Sequence, residues 1–527
     1  MLVVVLVNNL TNFYETTLLK KIHIFAKKNI EVYNSHTVFA ISMLQITAFF
    51  SNFAPDMEKQ ITDLLNTINE PLGGLMVAIL TITGIWFTFR TRGVQFRMFG
   101  EMFRLLFNSG DDTEVKDKKA KRVSSFEAFT VSLASRVGTG NLAGVATAIV
   151  IGGPGAIFWM WVMALIGSVN TFVECTLAQL FKTHGEDSFI GGPAYYIMKG
   201  LHKHWFACIF AIASIGQFGL TNNMVQANTI SSAFTQAFGF SPQIMAIALT
   251  SITIAVIFGG IQRIAKVCSV IVPIMALGYL AIAIWIIITN ITMIPSVLSL
   301  IVKSAFGLDQ AVGGTIGAAI TMGFKRGIFS NEAGEGSAPN AAATANVSHP
   351  VKQGLIQTLG VFTDTLIVCS CTAFIILCSG LYNCGQNGIE LTQVALSSHI
   401  GEIGKTIIAI AILFFAFSSV IGNYYYGECN VAFLCNGKSY TKAAIQGYRV
   451  ILGIIVFFGS LMTIDIVWAM VDFFMVIMTS CNLIAITFLG KYAIILLDDY
   501  KQQRRAGKNP KYKAETCPEI ANETECW

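Results

Sequence analysis

Apolar residues along this chain gather into blocks of roughly 17 to 28 positions, the length a helix needs to cross a hydrocarbon core of about 30 Å. Eleven such blocks fall at about 72–90, 124–151, 154–181, 205–235, 241–261, 264–289, 311–331, 353–380, 404–427, 446–462 and 465–490. Inside a bilayer only helices or closed barrels satisfy every backbone group, and blocks this long exceed barrel strands. The pattern therefore predicts an all-α, polytopic membrane protein. Composition agrees: 54% of residues are hydrophobic, 12% are charged and the mean hydropathy is +0.63, which excludes an ordinary soluble domain.

The net charge of +5 is distributed by loop, so it reports orientation and does not point to nucleic acid. Arg92, Arg97, Arg104, Lys116, Lys118, Lys119, Lys121 and Arg122 follow the first span, and Lys182, Lys199, Lys203, Arg263, Lys266, Lys438 and Lys442 occupy later alternate loops. These loops, and the basic tail from Lys501 to Lys513, are expected in the cytoplasm. Twelve scattered cysteines include no C-x-x-C pair and no spacing suited to zinc. Cys369 and Cys371 read as packing residues.

The expected organisation is an N-terminal extension at 1–56, a first helix and basic loop at 57–123, a five-span set at 124–289, a second at 311–490, and a cytoplasmic tail at 491–527. Three readings of the extension compete. Its apolar run from Val38 to Phe50, behind Lys20, Lys21, Lys27 and Lys28, suits the h-region of a signal peptide cleaved near Ala54, an extra helix, or a stretch upstream of a start at Met43 or Met57.

Two spans are interrupted by glycine-rich polar stretches, Ser135-Arg136-Val137-Gly138-Thr139-Gly140-Asn141-Leu142-Ala143-Gly144 and Lys325-Arg326-Gly327-Ile328-Phe329-Ser330-Asn331-Glu332-Ala333-Gly334. Both read R-x-x-x-x-N-x-A-G, and they open the two five-span sets. An odd number of crossings inverts the second set relative to the first, the plan of many secondary transporters. A helix unwound in mid-membrane bares N–H groups at one stub and C=O groups at the other, and glycine lets both approach a ligand. A carboxylate suits the first and Na⁺ the second. The competing explanation is tight helix packing through small residues.

At these residues the chain resembles the alanine/glycine:cation symporter family of bacteria and archaea, over about residues 58–490. The resemblance rests on Gly152-Gly153-Pro154-Gly155-Ala156-Ile157-Phe158-Trp159-Met160-Trp161, the break at 132–141, Gly327 to Gly334, Gly336-Ser337-Ala338-Pro339 and Tyr424-Tyr425-Tyr426-Gly427-Glu428. It implies a leucine-transporter-like fold, with one extra N-terminal helix before a five-plus-five inverted repeat. It also implies import of a small neutral amino acid, alanine or glycine, with co-transported Na⁺ or less often H⁺, no other cofactor, and a multi-pass place in the bacterial inner membrane. The same resemblance implies that Gly138, Thr139, Gly140 and Asn141 cradle the substrate carboxylate, with Phe329, Ser330 and Asn331 as the opposite wall. For the cation it implies the carbonyls of Ala134 and Val137, Asn141, and the hydroxyls of Ser418 and Ser419. Serines in a membrane helix otherwise bond back to their own helix.

In the fourth span Gln217, Phe218, Asn223 and Gln226 recur at about one-turn spacing and are expected to face one cavity, or to hydrogen-bond between helices. Arg136, Glu174, Arg326, Glu332, Glu335, Asp364 and Asp472 lie in or beside spans, where an unpaired charge costs at least about 2.5 kcal/mol. Glu174 and Asp472 read as structural ion pairs, and Arg136 and Arg326 as gates near the cytoplasmic surface. Two residues depart from the family's pattern. Asn423 stands where a tryptophan is expected and would admit glutamine or asparagine, and Glu335 stands in place of methionine and would add proton coupling. An intramembrane enzyme is disfavoured by the lack of a nucleophile–base or H-E-x-x-H pattern, and a channel by two unlike breaks in one chain.

Overall fold

The computed structural model describes residues 35–107, 123–185, 188–258, 260–308, 315–435 and 438–527, with backbone alone for 35–57, 260 and 262. The lysines at 20–28 and the basic cluster from Lys116 to Arg122 lie outside the described residues. The chain divides into Met1–Leu64 and Leu65–Trp527. The described part of the first unit is helical backbone, the start of α1 (Ser35–Arg90), so the run from Val38 to Phe50 is helix.

Among its described residues, Leu65–Trp527 consists of helices and the loops that join them, with a small hairpin pairing Thr183–His184 with Phe189–Ile190 and a lone bridge between Val123 and Ala345. After the short amphipathic α2 (Phe99–Phe107) comes a helix in two halves, α3 (Ser125–Arg136) and α4 (Val145–Gly152). Ser124 and Glu127 form a reciprocal capping box that fixes where α3 begins. Then follow α5 (Gly155–Leu180), the short α6 (Pro193–Leu201), and α7 (His204–Ser214) joined to α8 (Asn222–Phe238) by a π-helical stretch, Ile215–Thr221. Two more helices, α9 (Pro242–Ile257) and α10 (Gly260–Thr289), close the set, and α11 (Ile294–Ala305) leads to the next.

The second set repeats this order. Its split helix is α12 (Ile316–Asn331) with α13 (Ala338–Thr344), and its long helix is α14 (Pro350–Val361) joined to α15 (Ser370–Ser379) through the π-helical Phe362–Cys369. The short α16 (Gly388–Ile400), the long α17 (Ile403–Cys435), α18 (Thr441–Gly459) and α19 (Ile464–Arg505) complete it. Split, long, short, long and two more: the sequence of elements occurs twice, an all-α five-plus-five plan behind one preceding helix.

Eight of the eleven expected blocks form helices long and apolar enough to cross a membrane unaided. The other three are the two split spans and the 16-residue α9. Enclosure sorts the helices. The apolar window of Pro350–Ser379 is 78% buried, whereas that of Arg263–Thr289 is 28% buried and shows Ile274, Leu277 and Ile288 outward. The first belongs to the core and the second suits contact with lipid.

Three features do not follow from apolar blocks. In α11, the Ser304 hydroxyl accepts from the Gly155 N–H at 3.1 Å and the Ala305 carbonyl accepts from the Trp159 indole at 3.2 Å. In α16, the Thr392 hydroxyl donates to the Leu142 carbonyl at 3.1 Å, and Gln393 donates to the carbonyls of Ala233 and Lys405. Residues 506–527 fold back on the helix ends. There the Tyr512 N–H donates to the Ser348 carbonyl at 2.9 Å, Glu525 pairs with Lys199 at 2.8 Å, and the Trp527 indole donates to the Gln179 carbonyl at 3.0 Å beneath the Lys182 ammonium.

Candidate functional site

The helix of α3 stops at Arg136, because Val137 takes φ −80°, ψ 86° and cannot continue it. After Gly138 and Thr139 a wide π turn, Gly140–Gly144, restarts the chain as α4. The other break is sharper: Glu332, Gly334 and Gly336 all take left-handed backbone, with φ of 57°, 79° and 91°. Glycine does this without penalty, whereas Glu332 carries strain that its surroundings must hold.

What holds it is a buried polar chain. The Ser135 hydroxyl lies 2.6 Å from Glu332 Oε1 and 2.7 Å from Asn423 Oδ1, and Ser337 donates to Glu332 Oε2. Asn423 in turn donates to Asn223 Oδ1 at 3.1 Å. Ser135 in the first break, Glu332 in the second, α8 and α17 are thus joined by one network.

The breaks also meet through Asp364, in the π stretch before α15. Its carboxylate accepts from Asn141 at 2.7 Å, from Ser330 at 2.8 Å and from Thr365 at 3.0 Å, and Asn331 donates to Thr365 at 2.9 Å. Cys369 approaches the same group, 3.2 Å from Ser330 and 3.3 Å from Asn141. The bare N–H groups of the first break are met by side chains: Gly138 donates to Asn141 at 2.9 Å and Thr139 to Gln226 at 3.1 Å. A methyl on Gly140 would stand 3.0 Å from the Ser330 Cα and 3.1 Å from the Phe329 ring, so glycine is what lets the two walls touch.

The carbonyl stub lies against α17. Ser419 donates to Ala134 O at 2.8 Å and is also 3.4 Å from Val137 O and 3.0 Å from Phe415 O. One hydroxyl proton faces three carbonyls, and the surplus oxygen dipoles make the spot attractive to a small cation. Ser418 points elsewhere, to Phe415 O at 2.9 Å and the Met275 sulfur, so it bonds back on its own helix and away from Ala134 and Val137.

The four expected residues of the fourth span divide. Asn223 and Gln226 reach Asn423 and Thr139, whereas Gln217 donates to Glu335 at 3.3 Å and Phe218 packs edge-on to Tyr426. The π stretch inserts an extra residue into the helical turn and rotates 217 and 218 out of line with 223 and 226.

The two arginines are buried, 2% and 5% exposed. Arg136 donates to the Gln357 carbonyl at 3.0 Å, in space that Gly360 leaves open. Arg326 lies 3.9 Å over the Trp468 ring and 3.6 Å from Asp472, with Lys325 3.8 Å from the same carboxylate, and Trp468 packs on Phe329 at 4.7 Å. Asp472 is an ion-pair partner as expected. Glu174 is held by neutral donors, Asn482 at 2.6 Å and the Gly334 N–H at 3.4 Å.

Residues 58–514 match the model of the sodium:alanine symporter family. The chain belongs to that family. Among its relatives, "Amino-acid carrier protein AlsT" of Bacillus subtilis is 49% identical over 471 residues, 89% of this chain and 98% of that one. "Probable sodium/glutamine symporter GlnT" of the same organism is 48% identical across 89% of this chain and 97% of its own length. "Sodium/alanine symporter AgcS" of Methanococcus maripaludis is 37% identical across 81% and 94%. Members of the sodium:alanine symporter family are transporters, so the split helices here belong to a multi-pass symporter and not to an enzyme.

Proposed function

We propose that this protein carries alanine or a similarly small neutral amino acid together with Na⁺ into the cell, using the two split helices as its binding site. The observation that carries this is the convergence of Asn141, Ser330 and Asp364, which brings both breaks within hydrogen-bond distance of one carboxylate. In the loaded protein a substrate carboxylate takes over the N–H groups of Gly138, Thr139 and Gly140. Phe329, Asn331, Asn223, Gln226 and Asn423 line the remainder. Na⁺ sits between Ala134 O, Val137 O and Ser419 Oγ, and a second Na⁺ near Asn141 draws on Asp364 for compensating charge. With substrate and ion both bridging the breaks, the occluded arrangement is favoured only when both are present, which is the thermodynamic content of symport.

The concentration of basic residues on alternate loops supports a cytoplasmic C-terminus and an inner-membrane location. Glutamine is the second substrate to consider, because Asn423 and Asn223 place two amides in the pocket.

The test is uptake by the purified protein in proteoliposomes. An inward Na⁺ gradient should accumulate labelled alanine, and Gly140→Val should abolish this while the protein stays folded, since added carbons collide with Ser330 and Phe329. Uptake indifferent to Na⁺ would refute the reading, and competition by the other amino acids ranks alanine against glutamine.

A further inference from the structure

Behind the second break, three carboxylates share one buried space. Glu332 and Glu335 come from the loop between α12 and α13, and Glu174 comes from α5; each is at most 1% exposed. The charged groups facing Glu335 are Glu332, Glu174 and, from α3, Arg136. Around them stand the neutral Gln217 between α7 and α8, Asn482 of α19, and the phenols Tyr196 of α6 and Tyr426 of α17. A single guanidinium cannot balance three anions in a low-dielectric interior.

The three acids differ in what holds them. Glu332 accepts from Ser135 and Ser337, and Glu174 accepts from Asn482 and Gly334. Glu335 has one donor, the Gln217 amide, on Oε1. Its Oε2 is buried without a partner, and so is the carbonyl oxygen of the same Gln217. The two orphan atoms belong to groups already joined on their other side, and both are acceptors. One proton on Oε2, donated to Gln217 Oε1, closes an acid–amide ring with two parallel hydrogen bonds and removes one negative charge from the cluster. A metal ion fits less well, since a hard cation gathers about six oxygens and these two are the only orphans of the pair.

We infer that Glu335, paired with Gln217, is a proton-binding site of this transporter, loaded and emptied as the breaks rearrange. The inference rests on the symport reading and adds a proton to its cargo. Proton occupancy is linked to the substrate pocket through the shared loop: Glu332, three residues away, holds Ser135, and Ser135 holds Asn423. In transport the proton arrives from the external water, moves with alanine and Na⁺, and is released to the internal water. No bond other than O–H forms or breaks.

The experiment uses the full chain in proteoliposomes with equal Na⁺ on both faces, the voltage clamped, and the interior more alkaline. The wild type should accumulate alanine and acidify a weakly buffered lumen. Glu335→Gln keeps an amide donor toward Gln217 but carries no exchangeable acid. It should lose proton-driven accumulation by about tenfold, within the usual range of coupling between sites, while Na⁺-driven uptake persists. A Glu335→Gln protein that follows the pH gradient as the wild type does overturns the inference. So does a wild type that responds to Na⁺ alone with no lumenal acidification, a result independent of whether any variant folds. Failure of both gradients to drive wild-type uptake would overturn the symport reading itself.

Discussion

Gly138 shows how little room the first break leaves. A methyl there would stand 2.3 Å from Ser419 Oγ and 2.9 Å from Gln226 Oε1, so one added carbon displaces the hydroxyl that faces three carbonyls. Gly138→Ala should raise the Na⁺ concentration for half-maximal uptake by about tenfold, equivalent to about 1.4 kcal/mol. A Na⁺ titration that leaves this concentration unchanged would separate Ser419 from the ion. At this scale the sequence marks the helix break, where backbone chemistry dictates residue type, at Gly138, Gly140 and Asn141. It was less readable where direction decides. Ser418 and Ser419 are adjacent and alike, yet a helix turns them about 100° apart, from its 3.6 residues per turn, and only Ser419 meets the break. Asp364 stood out as a charge within a span, but its contact with both breaks depends on a fold-level approach that no local pattern encodes, and Cys369 beside it gave no sign beyond burial.

Among the elements, the folded-back tail lends itself to titration. Hydrogen bonding to Lys199, and then to Thr183, holds the Glu525 carboxyl below its ordinary value of 4.5. A carboxyl lowered in the docked state favours docking above that ordinary value, and its contribution fades as pH falls through the lowered one. Glu525→Gln should therefore speed hydrogen exchange of residues 506–527 at neutral pH and bring it toward the wild-type rate in acid. Equal exchange at every pH would show that the pair does not hold the tail. Long elements were legible because bilayer thickness sets their length. The short helices α11 and α16 fell below the span length, between the apolar blocks. The π stretch at 215–221 was hidden because a one-residue widening changes no composition, yet it sends Gln217 and Gln226 to different breaks.

Across the whole molecule, two groups of intramembrane charge among the described residues involve the split helices. One surrounds Arg136 behind the breaks. The other joins α12 to α19 through Lys325, Arg326 and Asp472, with Trp468 between Arg326 and Phe329. Removing the sole carboxylate of that second group leaves two cations uncompensated. Asp472→Asn should destabilise the detergent-solubilised protein by about 3 kcal/mol, the lower end for breaking a buried pair, and adding Arg326→Gln should restore part of it. A melting temperature unmoved by Asp472→Asn would mean that water already serves these charges.

Trp527 rests with its indole on the Lys182 ammonium and its N–H on Gln179, both near the end of α5, while Glu525, two residues earlier, grips α6 through Lys199. A tether of two residues spans about 7 Å at full extension, so those helix ends can part by little more before one grip lets go. Any larger separation of α5 from α6 is a peeling event, in which the half-buried indole leaves its cation-lined slot for water. With the other six tryptophans replaced by phenylalanine, the emission of Trp527 is an optical gauge of that motion.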